Sequence, residues 1–363
     1  MLDAIVSIEA VLLVAGLLSA AMCAFAWRSR SQYLALPELK RGPDGPAPDH
    51  CVIVPARNEE AVIGRCVRSF PGSLVVVVDD HSTDATAERA REAGADVRPA
   101  QPLQRYWMGK PNACWSGALY TSSDWILFVD ADTWYEPRFV QSLLSYAAEA
   151  NLAAVSVFPR QRCPSWWERM LLPYAFGLYF TGVNAGAVND PRRPEALANG
   201  QCLLFRRKSY EFLAGHKAVA TSVIEDVDLA RLIKRHRMSA KVMRCESMAF
   251  VRMYDSFGGL WQGFQKNSFR FLRVNLGTAL LVVSASVVMT SWLPMLLVLL
   301  YLHIWAAAAL FFFVPALAWR RWYGSWGSAL LSPFAIYVFQ AIAISAMLKG
   351  IFGMTTTWKG RRV

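Results

Sequence analysis

Residues 125–137 read Trp-Ile-Leu-Phe-Val-Asp-Ala-Asp-Thr-Trp-Tyr-Glu-Pro and constrain the chain more than any other stretch. The apolar run is too short for a buried helix, is built of β-formers and stops at two carboxylates one residue apart. It reads as an interior parallel strand that delivers Asp130 and Asp132 to its carboxyl end, where open α/β sheets place ligands. Two carboxylates so close repel each other unless positive charge stands beside them, and a hard divalent cation carrying phosphate oxygens supplies it. A strand ending in a polar turn would contain the same residues, so the neighbouring segments decide.

Those segments repeat the pattern. Cys51-Val52-Ile53-Val54-Pro55 is a short apolar strand, and Ala56-Arg57-Asn58-Glu59-Glu60 opens a helix with Val62, Ile63, Cys66, Val67 and Phe70 at helical spacing. Residues 73–78, with four consecutive valines, read as a strand buried on both faces that runs into Asp79-Asp80-His81-Ser82-Thr83-Asp84. A helix ending at Gly94 follows, and after residues 125–137 come a helix starting at Pro137 and a strand over 152–158. The expected fold class is therefore α/β, with a mostly parallel central sheet. Polar clusters at the strand ends converge on one crevice, as a nucleotide and its metal require.

Other stretches carry two readings each. Gly109-Lys110 sits in a loop without Walker spacing; its ammonium either lies against a diphosphate or is simply solvated. Residues 165–188 are heavily aromatic and are broken by Pro173 and Gly177, which suits a helix at the headgroup level or ordinary core packing. Asn199-Gly200-Gln201 leads into a strand, and Gly215-His216 marks a turn. Glu225, Asp226 and Asp228 open a helix whose dipole favours them, yet three acids exceed what capping needs, so one is a candidate for chemistry.

A hydrophobic content of 55% with 18% charged residues is too apolar for a purely soluble protein. The net charge of +11 is scattered in pairs that often flank apolar runs, which favours a membrane over nucleic acid. Seven widely separated cysteines, with no Cys-x-x-Cys pair, indicate neither a disulfide framework nor a zinc site, as in a reducing compartment. The expected organisation is an uncleaved transmembrane anchor (1–30), a linker without a core of its own (31–50), a cytoplasmic catalytic domain (51–272), C-terminal membrane helices (273–350) and a basic tail (351–363). Apolar runs at 276–298, 299–319 and 328–348 imply a tight hairpin at Ser291-Trp292-Leu293-Pro294, or displaced spans. Counting crossings from an outward N-terminus leaves Lys349, Lys359, Arg361 and Arg362 outside, against the positive-inside rule. Either the last segment does not cross or the count is off by one.

Taken together, the motifs resemble those of membrane-anchored family 2 glycosyltransferases of GT-A fold, most nearly the lipid-modifying branch of 4,4'-diaponeurosporenoate and hopene-associated enzymes. The resemblance covers roughly residues 51–271. It implies donor contacts at Pro55, Arg57, Asn58, Glu59, Asp79, Asp80, Lys110 and Asp130, a divalent metal (Mg2+ or Mn2+) on Asp132, and Asp226 as general base. Gln201, His216, Glu225 and Trp261 are the acceptor-side candidates. Processive polysaccharide synthases carry Gln-x-x-Arg-Trp where this chain has Gln262-Gly263-Phe264-Gln265-Lys266-Asn267. The expected activity is thus inverting transfer of one hexose, with UDP-glucose the expected donor, to a carotenoid, hopanoid or similar lipid at the inner membrane. A polyprenyl-phosphate or glycan-extending transferase, or a non-catalytic membrane docking subunit, remains as the alternative.

Overall fold

The computed structural model describes residues 2–42, 45–268, 276–352, 357–358 and 361–362. Residues 43–44 of the expected linker, 269–272 at the end of the expected catalytic domain, 273–275 at the start of the expected C-terminal helices, and 353–356, 359–360 and 363 of the basic tail lie outside the described residues. The elements begin with α1 (Leu2–Ala35), β1 (His50–Ala56), α2 (Ile63–Arg68), β2 (Leu74–Asp79), α3 (Thr86–Glu92), β3 (Asp96–Pro99), α4 (Gly109–Leu119), β4 (Trp125–Val129), β5 (Thr133–Tyr135), α5 (Phe139–Glu149) and β6 (Ala154–Gln161). Next come α6 (Trp166–Thr181), α7 (Ala185–Val188), β7 (Cys202–Arg206), α8 (Arg207–Phe212), α9 (Gly215–Ala218), α10 (Glu225–Arg235) and β8 (Ala240–Val251). The last helices are α11 (Phe257–Ser268), α12 (Leu276–Thr290), α13 (Trp292–Tyr301), α14 (Trp305–Tyr323), α15 (Trp326–Leu330) and α16 (Ser332–Ile351).

The chain divides into two compact units, Leu36–Arg162 with Ala185–Met253, and Met1–Ala35 with Cys163–Asn184 and Tyr254–Val363. Residues 163–184 and 254–268, expected inside one continuous catalytic domain, thus group with the hydrophobic helices.

In the first unit eight strands form one sheet in the order β3-β2-β1-β4-β7-β6-β8-β5. β3, β2, β1 and β4 run parallel, as the valine-rich runs predict, and β6 is parallel to β8. β7 enters antiparallel between β4 and β6, and β5 pairs antiparallel with β8 at the edge. Alternate side chains serve two cores. Val52, Val54, Leu127 and Val129 pack with Ile63, Cys66, Phe139 and Leu143, while Cys51, Ile53, Ile126 and Phe128 join Cys114, Tyr210, Leu229 and Ile233. Helices cover both faces, which is why these strands are apolar throughout. The segment read as a coreless linker is tied to β8. Leu39 donates its N–H to Arg244 O at 2.8 Å, Arg244 donates to Pro37 O at 2.9 Å, and Leu36 and Leu39 are buried.

Among the described residues of the second unit, three helices are long and apolar enough to cross a membrane: Ile8–Ala35, Ala279–Tyr301 and Ser332–Lys349. Leu13, Leu17, Leu280 and Val287 on them are more than half exposed, which suits an apolar solvent rather than water. The hairpin expected at residues 291–294 is absent. Ser291 donates to Val287 O and accepts from Met295, each at 3.0 Å, so the helix runs on, and the chain turns at His303, whose φ is 58°. The spans are displaced from the sequence boundaries because Pro294 does not break the helix. The proline lacks the N–H that would reach the Thr290 carbonyl, and Tyr337 Oη donates to that carbonyl at 2.7 Å instead.

α6 is packed among these helices rather than displaying all its rings at a surface. Leu171, Leu172, Tyr174 and Phe180 are buried, with Tyr174 tilted against Trp319 at 5.1 Å and Phe180 edge-on to Tyr33 at 5.2 Å. Trp166 and Tyr179 remain exposed.

The first unit holds α4 against the sheet through Gly117, where a Cβ would fall 2.4 Å from Ile53 Cγ2 and 3.0 Å from a Val78 methyl. Gly117→Ala is expected to cost about 1–3 kcal/mol and to lower the thermal unfolding midpoint of the detergent-solubilised chain. Gly258→Ala, with open space around it, should leave that midpoint unchanged or slightly raised.

Candidate functional site

The loops that leave β1 and β2 brace each other. Arg57 Nη1 donates to Asp80 O at 2.7 Å, Asn58 N to Ser82 Oγ at 3.0 Å and Thr83 N to Asn58 Oδ1 at 2.9 Å. Asn58 and His81 adopt left-handed φ angles of 53° and 58°, which turn the chain sharply past each strand end. Glu59 N reaches Thr86 Oγ1 at 2.7 Å, and Asp84 accepts from Thr86 N at 3.0 Å and Glu60 N at 3.2 Å. Burial works against the Asp84 carboxylate, but the Thr86 hydroxyl, which also donates to it, and these backbone hydrogen bonds hold its pKa below the ordinary value. Asp79 accepts from Ser82 N at 3.3 Å, and Asp80 is buried with its N–H on Ala56 O at 2.8 Å. Part of the polar capacity of these predicted donor contacts therefore builds the loops themselves.

Pro55, Lys110, Asp130, His216, Glu225 and Asp226 line one cavity with Gly200 and Cys114. Six predicted residues separated by up to 171 positions thus meet in one place. Lys110, on the first turn of α4, places Nζ 2.7 Å from Asp130 Oδ1 and 3.1 Å from Glu225 Oε1. The lysine read from sequence as facing a diphosphate or solvent is here paired with two carboxylates. Burial disfavours its ammonium, but Asp130 and Glu225 outweigh burial and hold its pKa well above the ordinary lysine value. Burial likewise works against the Glu225 carboxylate, and Lys110 overrides it and keeps the group ionised.

Asp226 opens α10 with both oxygens engaged. Gly200 N donates to Oδ2 and Val227 N to Oδ1, each at 2.8 Å. Burial and the adjacent Glu225 nevertheless raise its pKa to about 6, within the range of a general base at neutral pH. Asp228, which the sequence could not separate from its neighbours, accepts from Ser222 Oγ at 2.6 Å and Arg231 Nη1 at 2.7 Å and serves the helix start.

His216 is buried, with Nδ1 2.9 Å from Tyr210 Oη, and burial pushes its pKa down to about 3, so the ring is neutral. Gln201 is also buried. Its carbonyl accepts from Tyr135 Oη at 3.0 Å and Asp130 N at 3.3 Å, which ties the loop before β7 to the end of β4. Trp261 belongs to the other unit, on α11, where its ring lies 6.1 Å from that of Phe257. Sequence reasoning missed Tyr135, Tyr210 and Ser156, whose Oγ accepts Asn199 N at 2.7 Å. A polar residue inside the apolar run 152–158 was the signal for Ser156. Tyr135 acts across 66 residues on Gln201, and Tyr210 reaches His216 six residues on by the turn at Gly215; neither contact left a periodic signal.

Asp132 stands in the turn between β4 and β5, where Thr133 N and Oγ1 donate back to Asp130 O at 3.2 and 2.6 Å. Among the described residues no three His, Cys, Asp or Glu side chains gather into a metal cage. Hard carboxylate oxygens in so small a number fit Mg2+ or Mn2+, which complete their shells with water and substrate phosphate oxygens.

Residues 51–213 match the family model described as Glycosyl transferase family 2. A 4,4'-diaponeurosporenoate glycosyltransferase of Staphylococcus haemolyticus (strain JCSC1435) is 31% identical over 227 residues, 60% of each chain. Its namesake from Staphylococcus aureus (strain USA300) is 29% identical over 224 residues, again 60% of each. The chain thus spans about 60% of the length of these curated relatives. The mannosyltransferase PcManGT of Pyrobaculum calidifontis, solved with GDP-Man and Mn2+, matches with a TM-score of 0.55 at 19% identity, covering 95% of this chain and 99% of that one. This last likeness is one of fold, the GT-A arrangement.

With so few protein ligands, Mn2+ alone is expected to bind weakly, with Kd no tighter than about 1 mM, and to tighten at least tenfold when a nucleoside diphosphate is present. Titration calorimetry on the full chain in detergent reads both. Tight Mn2+ binding without nucleotide would contradict the donor set described.

Proposed function

We propose, from the match of residues 51–213 to the Glycosyl transferase family 2 model, that the chain is an inverting glycosyltransferase that moves one hexose from a nucleotide sugar to a membrane lipid. We infer UDP-glucose as donor and an isoprenoid such as a carotenoid or hopanoid as acceptor, with the catalytic unit on the cytoplasmic side of the inner membrane. The names of the curated relatives support the isoprenoid, and the three apolar helices support the membrane. The missing Arg-Trp after Gln262 supports a single transfer over a polymer.

The observation that carries the reading is Asp226, held by two backbone N–H groups at 2.8 Å in a cavity shared with Lys110 and Asp130. Arg57, Asn58, Glu59, Asp79 and Asp80, with Pro55, are the nucleotide side of the site, and Asp130 continues it toward the diphosphate. A divalent metal held by Asp132 and the donor's phosphate oxygens would offset the charge of the leaving diphosphate. Asp226 takes the acceptor hydroxyl proton, the acceptor oxygen bonds to the anomeric carbon, and the carbon–oxygen bond to the diphosphate breaks. One displacement inverts the anomeric centre.

Three outcomes test this. Asp226 must be ionised to act, so kcat/KM for an alcohol acceptor should be level above about pH 7 and fall about tenfold per unit once pH drops below the raised pKa of about 6. Asp226→Asn should lower kcat at least ~100-fold with an alcohol acceptor, whereas a carboxylate acceptor, already ionised, should lose less than about tenfold. Asp132→Asn should abolish transfer to both. Full activity of Asp226→Asn on an alcohol would sink the assignment of the base.

A further inference from the structure

Asp130, Glu225 and Asp226 bring three carboxylates to one cavity, and Lys110 is the cation set among them. Besides its two ion pairs at 2.7 and 3.1 Å, Lys110 Nζ donates to Gly200 O at 3.4 Å. Gly200 then donates its own N–H to Asp226 Oδ2 at 2.8 Å. One ammonium therefore joins the end of β4, the start of α10 and the loop that grips Asp226.

The bridge is closely fitted. α4 is preceded by Met108 at its N-cap, whose N–H donates to Ala220 O at 2.8 Å, and Asn112 Nδ2 donates to Gln101 O at 2.7 Å. On the opposite side, a Cβ on Gly200 would stand 3.0 Å from Lys110 Nζ and 3.4 Å from Asp226 Oδ2. A lysine fixed at its helix and boxed in by the Gly200 loop is built to stay between these carboxylates.

We propose that Lys110 is a positioning residue for the base, keeping Asp226 ready by neutralising the two carboxylates beside it. The proposal rests on the reading of Asp226 as the base. Asp226 is faced by Glu225 from its own helix, by Lys110 and the Cys114 thiol from α4, by Asp130 from the end of β4 and by His216 from α9. His216 is neutral, and burial raises the Cys114 pKa, so that thiol is neutral too. Lys110 is thus the positive group among the lining residues. Without it the adjacent Glu225 would act on the buried Asp226 unopposed, the carboxyl would hold its proton at neutral pH, and the acceptor would meet an acid instead of a base.

The infrared absorption of protonated carboxyl groups, taken as wild type minus Asp226→Asn, titrates Asp226 in the full chain without any substrate. Lys110→Met should move the midpoint upward from about 6 by about 1–3 pH units, and Lys110→Arg should hold it near the wild-type value. Glu225→Gln should move the midpoint down, and the double variant Lys110→Met/Glu225→Gln should return part of the way. An unmoved midpoint in Lys110→Met, or in Glu225→Gln should the former not fold, overturns the proposal. The base reading is judged separately by the activity of Asp226→Asn. An inactive Asp226→Asn beside an unmoved midpoint in Lys110→Met would reject the role of Lys110 alone.

Discussion

Like charges do not gather at the end of a sheet without a partner, and the first unit is arranged around that constraint. Parallel strands aim their carboxyl ends, and the acids that follow them, at one edge. Each acid is then satisfied in a different way. Asp84 is held by backbone N–H groups, Asp79 by a turn, Asp130 and Glu225 by one ammonium, and Asp226 by two N–H groups that only partly offset its burial. Asp84 and Glu225 are thereby held below and Asp226 above the ordinary carboxylate range, which is what a site needs in order to hold charge and still keep a base.

The second unit answers a different constraint. In an apolar medium each backbone group needs a partner inside the protein, and the helices there contain Pro173, Pro294 and Pro315. Tyr337 fills the carbonyl that Pro294 leaves open. Tyr323 Oη donates to Met170 O at 2.7 Å on the turn that carries Pro173, and Arg28 Nε closes the end of α6 on Thr181 O at 3.0 Å. Two phenols and one guanidinium thereby supply partners to backbone carbonyls of these helices.

The parts legible in the sequence were those written in local pattern. Four valines in a row mark β2, and an apolar run cut off by Asp130 and Asp132 marks β4, because both faces of these strands are covered. The edge pieces were not legible. β5 is three residues long and β8 mixes Lys241, Arg244 and Glu246 into its pattern, since strands near an edge meet less core. Within the site, Asp226 and Lys110 were both visible as residue types in suggestive places. Their partnership was not, because the Lys110–Glu225 contact spans more than a hundred positions and depends on how α4 and α10 are set by the sheet. Ser291-Trp292-Leu293-Pro294 misled for a related reason. A proline signals a break only when nothing replaces its missing hydrogen bond, and Tyr337 comes from a distant helix.

The proposed one-step transfer of a single sugar is tested most directly by the product itself. Mass spectrometry and proton NMR of the lipid made by membranes holding this chain, supplied with an α-linked nucleotide sugar, report both the number of sugars and the anomeric configuration. One hexose in β-linkage is the predicted result. An α-linked product or a chain of sugars would contradict it.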